Sequence, residues 1–314
     1  MKKSDQDQYL REMRKLIRKA YRQLKSRGPD KISSGEDLRS AIRRHRKSLK
    51  IIPRDIELWF AFFDEAVAFW FAIWGNYHEK VSGPADKLAI CLMALSGRVF
   101  QDMICIREMI ADGFSVQSNV VARSLIEAID VMHLLNCHPE LAAEFQEIKT
   151  NAESSSFWHQ YCSRDKIHKI AKVRWLWFFN GDEKNADIFH KQRESYLDLT
   201  GMSVHPSFAA SFTTFMDSSE TASSIFDNAM GTISHMSKFT MHLILLRVFE
   251  YGLLWSGPKI SLYKGENSES GKPALYENIS RGLSVLLSIV KATNERPDND
   301  PFFPEFMTYW PRPD

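Results

Sequence analysis

Residues 58–74, LWFAFFDEAVAFWFAIW, constrain this chain more than any other stretch. The run is almost wholly apolar and aromatic, yet Asp64 and Glu65 stand at its centre. An acid at the middle of a bilayer costs about 2.5–3.5 kcal/mol on insertion scales. The run is also short of the roughly 20 residues that a membrane span needs. It reads as a helix packed inside protein, and no membrane partner is expected. A chain of 314 residues has ample length to build a core around it.

The rest of the chain repeats its apolar residues at helical spacing, and no run alternates as a half-buried strand does. A basic helix over 5–26 stops at Gly28-Pro29. A second begins near Ser33 or Ser34, with Glu36 and Asp37 suited to its positive end. Pro53 then separates this arm from a body with helices near 54–78, 85–112, 116–136, 139–163, 165–180, 184–199, 206–216, 222–256 and 273–293. Gly113 ends one of these helices, and Ser115 or Ser118 opens the next. The expected fold is all-α, a multi-helix bundle of roughly eight or nine helices. A basic helical arm over 1–52 precedes a helical domain over 53–300. An irregular tail rich in proline and aromatics closes the chain at 301–314.

Charge is unevenly spread. Residues 1–50 carry 17 Lys and Arg against 6 Asp and Glu, while the remainder carries 24 against 33. Such an arm can bind the phosphates of a nucleic acid by releasing counterions. It can equally pack on an acidic surface of its own or a neighbouring subunit, or stand as a solvated helix face. Arg43, Arg44, Arg46 and Lys47 are its densest cluster and the candidate nucleic-acid contacts. Arg164 and Lys169 join them, because residues 158–179 interleave basic residues with Trp158, Trp175 and Trp177. A Trp-lined core face with a basic outer face would produce the same pattern.

Several function classes lack their signatures. Neither G-x-G-x-x-G nor G-x-x-x-x-G-K-[ST] occurs, which argues against dinucleotide and P-loop chemistry. The histidines show no H-E-x-x-H or E-x-x-H spacing, so no metal and no cofactor are expected. Four scattered cysteines without a C-x-x-C pair suit a reducing, cytoplasmic compartment, and the charged first residues do not resemble a secretory leader.

Two stretches carry chemistry. Within 120–135, Arg123, Glu127 and Asp130 share one side of a helix opposite Val121, Leu125, Ala128 and Met132. Apolar neighbours narrow this charged stripe, so it faces either solvent or an interior cleft. In LDLTGMSVHPSFAAS, residues 197–211, Pro206 pushes His205 out of helical geometry and leaves its ring at a helix mouth. There an imidazole can act as acid or base near neutral pH, or simply satisfy open backbone N–H groups.

The order ARSLIEAIDVMHLLNCHPELAAEFQ, then YLDLTGMSVHPSF, resembles an uncharacterised, mostly bacterial, all-helical family of unknown function. The resemblance covers about 85–215. That family is distantly similar to HEPN domains, helical bundles found among toxins and phage-defence effectors, often as dimers. The resemblance implies a metal-independent ribonuclease in which His205 is the general base on a ribose 2′-OH. Arg123, with Glu127 beside it, would stabilise charge on the phosphate. HEPN ribonucleases carry R-x(4–6)-H. Here Arg39 to His45 has that spacing within the basic arm, and Arg164 to His168 is one residue short. The alternative from another class is a non-catalytic scaffold whose arm docks nucleic acid or a partner subunit.

Overall fold

The computed structural model describes residues 35–49, 54–81, 86–187, 233, 235–255 and 273–294, with 11, 15, 190, 191 and 194 singly. The helix expected over 206–216, the first part of 222–256, all of 5–26 but residues 11 and 15, most of 184–199, the tail at 301–314 and His205 itself lie outside them. Among the described residues the chain is helical, with no strand. It divides into two units, Met1–Ile51 and Ile52–Asp314. In the first, α1 (Gly35–Ser48) carries His45, Arg46 and Lys47 in its last turn, where the basic charges of Arg46 and Lys47 complement the helix dipole.

The second unit begins with α2 (Arg54–Lys80) and α3 (Lys87–Ala111). Asp86 caps α3 by accepting a hydrogen bond from the Ala89 N–H at 3.0 Å. Gly113, at φ 86°, ends the helix. Its N–H bonds to the Ile110 carbonyl and that of Phe114 to the Met109 carbonyl, closing a Schellman turn. Then come α4 (Ser115–Cys137), α5 (Leu141–Glu147), α6 (Asn151–Tyr161) and α7 (Arg164–Phe178). The single helix expected over 139–163 is thus two. Thr150 and Glu153 form a capping box that starts a new helix, a T-x-x-E signal present in the sequence. Asn180, at φ 53°, ends α7 by a second Schellman turn with Gly181. The last two helices are α8 (His235–Gly252), extended by a 3₁₀ turn at Leu253–Trp255, and α9 (Pro273–Asn294).

Helix α3 packs along α2 on one side and α4 on the other, and α8 lies against α2, α4, α7 and α9. One face of the aromatic run of α2 is core, while Phe71 is exposed. Trp59, Phe63, Trp70, Ile73 and Tyr77 are buried, each stabilising by about 1.5–3 kcal/mol relative to exposure. Asp64 turns outward and takes two hydrogen bonds from Arg107 of α3, at 2.6 and 3.0 Å. That guanidinium also lies 5.5 Å over the Phe60 ring. Among the described residues α3 is the one helix long and apolar enough to cross a membrane by length and composition. Its place between α2 and α4 is that of a core helix.

Phe69 of α2 fixes where α8 and α9 meet it. A Cβ on Gly252 would lie 2.9 Å from the Phe69 ring, and one on Gly282 only 2.6 Å from it. Both glycines therefore serve close approach. Gly282→Ala should gain about 1 kcal/mol of helix propensity. It should nevertheless lower stability, because overpacking costs about 1–3 kcal/mol. Urea unfolding of the two proteins measures the net sign; a stabilised variant would show that Phe69 yields.

Candidate functional site

The expected functional stripe on α4 splits between surface and core. Arg123 donates from Nε to Glu127 Oε1 at 2.8 Å, with the two side chains 29% and 40% exposed. One turn later Asp130 is buried and accepts from Arg247 Nη2 of α8 at 3.0 Å. The same guanidinium donates through Nη1 to Glu250, which also accepts from Trp175 Nε1 of α7 at 3.3 Å. His133 stands beside this carboxylate, with Nε2 at 3.9 Å from Glu250 Oε1. Two carboxylates thus bracket one arginine in the core.

The buried polar seam continues both ways along α4 and α8. Towards one end, the Tyr251 hydroxyl meets that of Tyr77 at 2.6 Å and accepts from Asn136 Nδ2 at 3.0 Å. Burial pushes the Tyr77 hydroxyl up to about 12 and that of Tyr251 well up, so both stay protonated. Towards the other end, Thr240 donates to Asn119 at 2.5 Å and Ser115 pairs with Ser237 at 2.6 Å. His242, edge-on to Trp59, is pushed down to about 3 by burial and is neutral at ordinary pH. Arg174 of α7 donates to Cys137 Sγ at 3.4 Å, and burial lowers its pKa.

Thiolate chemistry has no support at the buried cysteines. Burial, with Asp130 and Glu127 nearby, pushes Cys162 up to about 12, and burial also raises Cys91. A protonated thiol is a poor nucleophile.

The sequence-derived residues are therefore distributed as follows. Arg123 and Glu127 are joined, while His205 lies outside the described residues, so its approach to Arg123 is not seen. Arg43, Arg44, Arg46 and Lys47 are exposed on α1, and Lys169 is exposed on α7. Arg164 opens α7, with its side chain outside the described set. Sequence spacing missed Arg247 and Glu250, because an arginine and a glutamate three apart on a helix are commonplace. It also passed over His168, His190 and Glu194, whose ligand atoms lie within 4.8 Å of one another. The last two have a one-turn H-x-x-x-E spacing, a signal that gains meaning only beside His168.

Compared with family models, with curated proteins and with solved structures, the chain matches none.

The buried Arg247 and the half-exposed Arg123 should lose very different amounts of stability on truncation. Arg247→Ala leaves Asp130 and Glu250 buried without their shared cation, and should cost about 3–5 kcal/mol. Arg123→Ala removes a half-exposed i,i+4 pair and should cost about 0.2–0.5 kcal/mol. Denaturant unfolding of both variants checks this; equal losses would contradict the division into core and surface.

Proposed function

We propose that this chain is a cytoplasmic helical effector of the bacterial toxin or phage-defence type, cleaving RNA without a metal ion. The observation that carries the reading is the mounting of Arg123. Its guanidinium is oriented by Glu127 at a half-exposed position, on a helix tied into the core about two turns later through Asp130 and Arg247. A cation held in place beforehand stabilises developing phosphate charge without reorganising during reaction. In this reading His205 takes the proton of the 2′-OH, Arg123 faces the phosphate and Glu127 sets the direction of Arg123. The resemblance of R-S-L-x-E and V-H-P-S to the HEPN-like family supports these roles.

A second reading has its own observation. Arg43, Arg44, Arg46 and Lys47 form an exposed basic group on α1. That arrangement suits a non-catalytic module docking RNA or a partner subunit as well as it suits an enzyme.

Cleavage of total cellular RNA by purified protein in excess EDTA separates the two. Wild type should cleave, and His205→Ala and Arg123→Ala should each lose about a hundredfold or more while melting with the parent. RNA binding that weakens steeply with salt, without cleavage, would favour the docking module. Neither cleavage nor binding would remove both readings.

A further inference from the structure

We propose that His168, His190 and Glu194 form a divalent-metal site of the zinc class, tying His190 and Glu194 to α7. His168 is buried on α7, and its Nδ1 lies 3.1 Å from Glu194 Oε1. The His168 and His190 rings meet edge-on, with centroids 4.6 Å apart. One ligand atom from each residue falls within 4.8 Å of the others. Tetrahedral ligands around zinc sit about 3.3 Å apart, given metal–ligand distances near 2.0–2.1 Å. The closure required is about 1.5 Å or less, within reach of side-chain rotation at the partly exposed Glu194.

The donor set points the same way. Two imidazoles and one carboxylate are a familiar zinc complement that leaves a fourth position for water. Imidazole also disfavours the alkaline-earth ions, which prefer all-oxygen shells. His190 and Glu194 are four apart and share a helix face. A simple His168–Glu194 hydrogen bond would account for two of the three groups. It leaves His190, whose Nδ1 is buried without a hydrogen-bond partner among the described residues. A metal ion gives the His190 ring the partner that the hydrogen bond does not. The neighbouring Asp187 is engaged by Lys172 at 2.7 Å, so the carboxylate of the site is Glu194.

None of the three ligands belongs to the proposed catalytic set of Arg123, Glu127 and His205, and the ion is given no part in RNA cleavage. The ion would act on stability, since binding to the folded state alone raises the melting temperature.

The test uses tag-free full-length protein stripped with chelator and then titrated with Zn²⁺ against a chromophoric competitor. One equivalent should bind, and Co²⁺ should give the visible absorption of a four-coordinate ion. His190→Ala and Glu194→Gln should each weaken binding by at least about tenfold. Zn²⁺ should raise the melting temperature of wild type and of neither variant. Less than one equivalent on wild type overturns the site. So does unchanged affinity in both variants, which would assign the ion to other histidines. If His190→Ala fails to fold, Glu194→Gln and the wild-type stoichiometry still decide. The assay reads no cleavage, so its failure and that of the ribonuclease reading are distinguishable.

Discussion

Helix α8 is buried over the whole of 237–254, and it carries charge into that burial. An unpaired ion in a protein interior costs several kcal/mol, so each charge of α8 demands a partner from a neighbouring helix. Arg247 is answered by Asp130 of α4 as well as by Glu250 of α8 itself, and Glu250 is reached by Trp175 of α7. Apolar packing alone tolerates sliding and rotation between helices. These directional bonds, with the Tyr77–Tyr251–Asn136 group and the Ser115–Ser237 and Thr240–Asn119 pairs, fix the register of α2, α4 and α7 around α8.

The consequence for function runs through α4. Asp130, in its fifth turn, meets Arg247 in the core, while Glu127 and Arg123 emerge towards the surface about one and two turns earlier. Rigidity at Asp130 is therefore inherited by Arg123. The proposed catalytic cation would owe its orientation to an ion pair it never touches.

The architecture was legible where one helix face carries the signal. Trp59, Phe63, Trp70 and Ile73 follow helical spacing, and the central acids of their run excluded a lipid environment. The boundaries at Gly113 and Pro139 were visible for similar local reasons. The break at Thr150 was encoded as T-x-x-E but was hidden by apolar residues that run through it. The buried triad was only half legible. The narrow stripe holding Asp130 left solvent and an interior cleft both open, and Arg247 is 117 residues away with nothing local to mark it. The His168–His190–Glu194 group was illegible for the same reason: its meaning arises from tertiary approach, not from spacing. What Arg123 shares with His205 rests on motif order alone.

The central claim is that Asp130 and Arg247 act as one unit joining α4 to α8. A double-mutant cycle tests it directly, with Asp130→Asn, Arg247→Met and the combined variant unfolded in urea. The two changes should be strongly non-additive, with a coupling energy of about 1–3 kcal/mol, because the double variant removes both charges together. Effects that add to within about 0.5 kcal/mol would contradict it, since independent sites behave that way. The join of α4 to α8 would then rest on apolar packing and the neutral hydrogen-bonded pairs.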